Sequence, residues 1–219
     1  MHYIIDSHED IAWNILTFNR DITRPVAVTR QMEKGSRIIE LNFGEAMLGW
    51  PEYQAGRVAV IFATLFAAPR RYEKDPYYSQ AYTTIDQAHA CYQRQLETYN
   101  KLFDEHPEKF ILINDRKTLS GIIEAWERPV DQSVENPIGL VLLMEGAEGI
   151  REVKELASWW ENGVRLIGPA WAGNQYCGGT LEPGPLTTAG KILIRQMDEI
   201  GFMLDISHMD EQAVLHCLE

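Results

Sequence analysis

The chain has 219 residues, of which 45% are hydrophobic and 24% charged, a composition that excludes a disordered chain and fits a single domain over residues 1–219. Its 20 basic residues stand against 32 acidic ones, and the net charge of −12 argues against nucleic acid or an anionic membrane as a partner. No apolar run reaches spanning length, and three widely spaced cysteines, Cys91, Cys177 and Cys217, fit a reducing, cytoplasmic setting better than a disulfide framework.

The first predicted strand covers residues 3–10. An apolar start, Tyr3 to Ile5, runs into the polar cluster Asp6-Ser7-His8-Glu9-Asp10, the pattern of a buried strand that delivers side chains to a site at its C-terminal end. The strand begins within two residues of Met1, which is read as leaving no room for a signal peptide. Strand alternation puts His8 and Asp10 on one face and Glu9 on the other. A neutral imidazole beside a carboxylate suits a divalent metal such as zinc; the same pair also suits a loop cap.

Residues 11–18 read as a short helix or a loop following the site. Residues 19–55 show no clear period and are expected to be an irregular excursion, of the kind that serves as a lid or an oligomer contact. Residues 56–66 form the second strand, nearly continuously apolar and therefore expected to be buried on both faces of a parallel sheet. A polar connection over residues 69–76 leads to a long helix over 77–104. Its core stripe is Ile85, Ala88, Tyr92, Leu96, Tyr99 and Phe103, with His89 and His106 left on the surface.

The third strand is residues 110–113, and Asp115 is the N-cap expected for a helix over 116–126. A loop over 128–137 precedes the wholly apolar fourth strand, 138–144, which ends at Glu145-Gly146. A helix over 153–162 stops at Gly163, and the fifth strand is 164–168. After a Gly/Pro-rich loop, Thr187 or Thr188 starts a helix that runs to Ile200 with Leu193, Met197 and Ile200 inward. The sixth strand, 202–208, ends in a polar cluster with His208, and Asp210 caps a last helix.

Strands alternate with helices throughout, so the class is α/β with a parallel sheet. His8 and Asp10, then Glu145, then His208 gather at the C-terminal ends of three strands, where a (β/α)8 barrel places its site. A doubly wound sheet would also put ligands there, but no glycine-rich phosphate loop follows any strand. About six strand–helix units are present against the eight of a closed barrel, so the barrel is expected to be incomplete, lacking its last two strands.

The ordered motifs resemble the membrane (renal) dipeptidase family of zinc peptidases, among the amidohydrolase-like metal-dependent TIM barrels. Asp6-Ser7-His8-Glu9-Asp10 resembles that family's opening Asp-x-His-x-Asp, and Glu145-Gly146 its Glu-Gly after the fourth strand. Gly56-Arg57-Val58 resembles its entry to the second strand, Asn162-Gly163-Val164-Arg165 its Gly-Val-Arg, and Gly184-Pro185-Leu186-Thr187 with Gly190 its Gly-Leu-Thr-x-x-Gly. Residues 201–208 resemble its Gly-x-x-x-Asp-x-Ser-His.

The resemblance implies two zinc ions, one held by His8 and Asp10, the other by His208, with Glu145 bridging; Glu145 and Asp10 are then the catalytic carboxylates. It implies hydrolysis of dipeptides or related small amides through a metal-bound hydroxide. A second histidine on the second metal and a substrate-binding arginine come later in the family's pattern than this chain extends, so the second zinc site is expected to be incomplete. His216 is no match for that histidine, and Asp205 is expected to make a local hydrogen bond. Trp171 stands where the family's dipeptidases carry a substrate-binding histidine; Trp171, Asn174 and Tyr176 are the candidate substrate contacts. The alternatives are another metal-dependent amidohydrolase, acting on a lactone, cyclic amide or N-acyl amino acid, or a non-catalytic incomplete barrel. The latter would have exposed edges at the first and sixth strands and a tendency to form homo-oligomers.

Overall fold

A computed structural model of the protein describes residues 2–40, 44–73, 75, 77–128 and 134–218; Lys74 and Pro76 of the expected connection, residues 41–43 and residues 129–133 of the expected loop lie outside these. In chain order the elements are β1 (Ile4–Glu9), α1 (Ile11–Phe18), α2 (Val26–Glu33), α3 (Arg37–Glu40), α4 (Trp50–Gly56), β2 (Val58–Phe66), β3 (Ala68–Pro69) and β4 (Ala81–Tyr82). They continue with α5 (Ile85–Glu105), β5 (Phe110–Leu112), α6 (Arg116–Glu127), β6 (Ile138–Glu145), α7 (Leu156–Glu161), β7 (Val164–Gly168), α8 (Thr188–Ile200), β8 (Met203–Leu204) and α9 (Glu211–Leu218).

The main sheet runs β1-β2-β6-β7-β8, with β5 also paired to β6, and every pairing in it is parallel. β6 is its centre. One edge of β6 pairs with β2 from Gly139 to Glu145. The opposite edge is shared: β5 takes Ile138 to Leu140 and β7 takes Leu142 to Glu145. β5 is three residues long and leaves the second half of that edge free for β7. All eight β6 residues are buried, as an unbroken apolar run in a parallel sheet requires.

β1 departs from the expectation of burial. Ile4 and Ile5 are 51% and 52% exposed, because β1 is the edge of the sheet and pairs with β2 alone among the described strands. At the opposite edge β8 is two residues long rather than the expected seven, and Met203 is exposed. Asp205 ends it: its carboxylate accepts from the Ser207 amide at 3.0 Å and hydroxyl at 2.5 Å, a local turn that competes with the ladder. The expected local role of Asp205 holds.

The long helix starts at Ile85, eight residues later than expected. Thr84 accepts from the Gln87 amide at 3.3 Å and the Gln87 side chain accepts from the Thr84 amide at 3.2 Å, a capping box, while Ala81–Tyr82 is held in β4 against β3. Ala88, Tyr92, Leu96 and Tyr99 of the expected stripe are buried, with Ile85 and Phe103 half-buried. His89 is not a surface residue. Its Nδ1 lies 2.8 Å from the Gly149 carbonyl and its ring meets the edge of Trp159.

Residues 19–55 are more regular than expected and hold three short helices. Arg20 forks onto Glu33 at 2.7 and 2.9 Å and also donates to Asn14 at 2.8 Å, with both charged groups largely buried. Trp50 and Tyr53 of α4 are buried, Trp50 against the edge of Phe110. The expected helix over 153–162 is a 3-10 turn followed by the short α7. Ile200, expected inward, is half-buried, while Leu193 and Met197 are buried. Among the described residues no helix is long and apolar enough to cross a membrane.

Candidate metal centre

The end of β1 carries an irregularity that sets the site. Asp6 pairs with Ile61 and Glu9 with Ala63, so three steps on β1 match two on β2, a bulge at Ser7-His8. Beyond it His8 and Asp10 share a side, with His8 Nε2 3.8 Å from Asp10 Oδ1. Glu9 turns the other way and accepts a hydrogen bond from the Tyr53 hydroxyl of α4. Asp10 stands at the N-cap position of α1, yet its side chain makes no cap bond to the helix amides. Its Oδ1 accepts instead from the Thr64 hydroxyl of β2. The loop-cap reading therefore gives way to a carboxylate aimed into the cluster.

Glu145, at the end of the central strand, is 5% exposed and lies between two imidazoles. Its Oε2 is 3.2 Å from His8 Nε2 and its Oε1 is 2.9 Å from His208 Nε2. One donor atom each from His8, Asp10 and Glu145 falls within a 4.8 Å group. His208 arrives on the turn after β8, not on the strand itself. Thr180 approaches its Nδ1 to 3.1 Å, which fixes the ring and leaves Nε2 toward Glu145. Glu9–Tyr53, Thr64–Asp10 and Thr180–His208 carried no signal in the sequence, since each pairs residues at least 28 positions apart.

The Trp171 ring lies 6.4 Å from the His208 ring and 5.2 Å from Phe66 at the end of β2, so it borders the cluster. Asn174 and Tyr176 are placed differently. The Asn174 amide donates to the Pro169 carbonyl at 2.8 Å and its oxygen accepts from the Tyr176 amide at 2.8 Å. Tyr176 is buried, with its hydroxyl donating to the Ile150 carbonyl at 2.7 Å and burial holding that hydroxyl up at about 12. Asn174 thus braces its own loop and reaches the Glu148 carboxyl, while Tyr176 ties the loop to the segment after β6. His216 lies on α9 and lines a cleft with Lys191, Ile194 and Cys217.

Charge in the cluster is strongly coupled. The hydrogen bond to Glu145 raises His8 to about 9 against the opposing effect of burial, with further help from the charges of Glu145 and Asp10. Burial raises Asp10, and the Glu145 charge adds to it. Burial likewise brings Glu9 to about 7, with the Tyr53 hydrogen bond pulling the other way.

Glu148, three residues beyond Glu145, is another buried carboxyl, 4% exposed, and burial lifts it to about 7. The Asn174 side chain and a backbone amide hydrogen-bond it and pull the other way, and its contacts to the Tyr92 hydroxyl at 3.4 Å and the Trp171 amide at 3.5 Å are long. A folded-state value above the unfolded one means the folded chain holds the proton longer, so stability falls as pH rises from about 4.5 to about 7. Glu148→Gln should remove that loss. In thermal or urea unfolding the variant should match wild type near pH 4.5 and gain about 2–3 kcal/mol over it by pH 8.

The family model for membrane dipeptidases, peptidase family M19, matches residues 1–219. An uncharacterized protein in the pqqA 5′ region of Klebsiella pneumoniae is 36% identical over 86 residues, 35% of this chain and 32% of that one. The crystal structure of a metallo peptidase from Rhodobacter sphaeroides, liganded with a phosphinate mimic of the dipeptide L-Ala-D-Ala, matches with a TM-score of 0.71 at 17% identity. The match covers 98% of this chain and 61% of that one. The probable dipeptidase PvdM from Pseudomonas aeruginosa matches with a TM-score of 0.64 at 17% identity, over 80% of this chain and 43% of its own. The chain thus spans about a third of that curated relative. The parallel sheet is part of a (β/α)8 barrel of the kind those structures contain.

Proposed function

Because the chain belongs to the membrane dipeptidase family, we propose that it carries the zinc-binding part of a hydrolase acting on dipeptides or related small amides. The observation that supports this reading is the placement of Glu145, whose two oxygens each face a different imidazole. A carboxylate so placed suits two cations at once. Two imidazoles and two carboxylates are also a nitrogen-and-oxygen donor set that fits zinc. His8, Asp10 and Glu145 would hold one ion, and His208 with Glu145 the other. When bound, zinc acts as a Lewis acid that makes water a nucleophile near neutral pH and polarises an amide carbonyl.

The residues of the chain supply the rest. Glu145 and Asp10 place negative charge where the cations go. Thr180 fixes the His208 ring. Trp171 and Phe66 form an apolar wall beside His208 that excludes water from one side of a bound substrate. Among the described residues the first position has three donors and the second two, so one zinc should bind more tightly than the other.

Zinc must displace the His8 proton, which is held up to about 9. Zinc uptake at pH 7 should therefore release protons, and affinity should fall as pH drops below about 9. Calorimetric titration in two buffers of different ionisation enthalpy measures that release directly.

The activity test is a substrate panel. The zinc-loaded chain should hydrolyse dipeptides, and His8→Ala should abolish the turnover. Turnover confined to lactones, cyclic amides or N-acyl amino acids would replace the dipeptidase reading with that of another amidohydrolase, and a zinc-loaded chain inert on every substrate would leave a binding remnant.

A further inference from the structure

We propose that Thr64 is a positioning residue of the metal centre, holding the Asp10 carboxylate at the angle metal binding needs. The inference rests on the metal-binding reading above. β2 reads Val-Ala-Val-Ile-Phe-Ala-Thr-Leu-Phe, and Thr64 is its single polar side chain. It is fully buried, where valine would fill the same space without a polar atom to satisfy. Packing alone gives no reason for the hydroxyl.

Two acceptors lie within reach of that hydroxyl, and it carries one proton. The Glu9 carbonyl is 3.4 Å away, whereas Asp10 Oδ1 is in much closer contact, so the proton goes to Asp10. A hydrogen bond to an ionised carboxylate is stronger than one between neutral groups. Asp10 has no cap bond to hold it otherwise; the Asn14 amide reaches its backbone carbonyl at 2.9 Å, not its side chain. Oδ1 is also the oxygen 3.8 Å from His8 Nε2. Pinning Oδ1 on Thr64 leaves Oδ2 and the remaining lone pair of Oδ1 for a cation shared with His8 and Glu145.

The backbone on both sides is held by one tyrosine. The Tyr99 hydroxyl of α5 donates to the Thr64 carbonyl at 2.9 Å and accepts from the Ala12 amide at 3.2 Å. Ala12 lies in the first turn of α1, two residues beyond Asp10. Tyr99 is itself fully buried. Beyond the β1–β2 register, this hydrogen-bond chain ties the backbone at Thr64 to the start of α1. Such a partner behind a metal ligand sets affinity rather than folding.

The test is zinc affinity by chelator competition for wild type, Thr64→Val, Thr64→Ala and Thr64→Ser, with melting of each metal-free protein alongside. Valine and alanine should each weaken binding about 10- to 100-fold. Serine, which keeps the hydroxyl, should restore it to within a few-fold, and metal-free Thr64→Val should melt close to wild type. In an Asp10→Asn background, Thr64→Val should have no further effect, because its action runs through Asp10. Wild-type affinity in Thr64→Val, or equal loss in the serine and valine variants, would overturn the positioning role. Absence of zinc binding by folded wild type would instead overturn the metal reading itself.

Discussion

Glu145→Gln should remove tight zinc binding. The substitution keeps the shape of the side chain but replaces an anionic oxygen on one of its two arms with an amide nitrogen that cannot bind a cation. Both imidazoles lose a partner at once, since His8 faces one oxygen and His208 the other. Removal of an outer-shell partner costs metal affinity about 10- to 100-fold, and loss of a shared ligand should cost more. A second readout needs no metal. The hydrogen bond that His8 donates to Glu145 is the largest cause of the His8 shift to about 9, so in metal-free Glu145→Gln that value should fall toward the ordinary histidine range. Proton titration of His8 by NMR measures it. An unmoved titration would mean that Glu145 does not hold His8 in solution.

Gly146→Ala should be among the most destabilising single changes in the chain. Gly146 has φ +88° and ψ 131°, which places it outside the helical left-handed well and costs a side chain more than an ordinary positive φ. A Cβ there would also overlap the Glu148 carboxylate, which is buried and cannot swing into solvent. Strain and overlap together are worth about 3 kcal/mol, or roughly 6–12 °C of melting temperature for a chain of this size. Gly201 is the control: its φ is +105°, but the nearest atom to an added Cβ is Trp160 Cη2 at 3.6 Å, so Gly201→Ala meets the backbone strain alone. It should cost about 1–2 kcal/mol. Equal losses in the two variants would show that Glu148 gives way freely. Because Gly146 follows Glu145 directly, the alanine variant should also bind zinc more weakly than Gly201→Ala.

The parts of this architecture that were legible before the structure are those written in local patterns. The apolar run 138–144 was readable as a strand that ends at Glu145, and the sheet makes that strand central and buried throughout. His8, Asp10 and Glu145 do converge, because parallel strands bring their C-terminal ends to one face. Features that depend on a neighbour were not legible. Ile4 and Ile5 look like core residues in isolation, but their burial requires a strand on the far side of β1. Thr64 reads as a strand residue until the β1–β2 register sets it against Asp10. Asn174 and Tyr176 lie in a Gly/Pro-rich loop, and their hydrogen bonds to Pro169 and to Ile150 depend on how that loop packs on the segment after β6. Other features were legible in principle: Thr84-x-x-Gln87 spells the capping box that starts α5, a signal the expected start at residue 77 did not use. Asp205 likewise could be read as a turn former, and its turn is what shortens β8 and carries His208 to Glu145.

The central claim is that Glu145 would bind two cations, one with His8 and Asp10 and the other with His208. Its most direct test is a crystal structure of the zinc-soaked protein with anomalous scattering data collected on both sides of the zinc edge. The account predicts two zinc peaks, a stronger one beside His8, Asp10 and Glu145 and a weaker one beside His208 and Glu145, with one oxygen of Glu145 on each. A protein without zinc at these residues, or with zinc bound elsewhere and the His8–Glu145–His208 contacts unbroken, would contradict it.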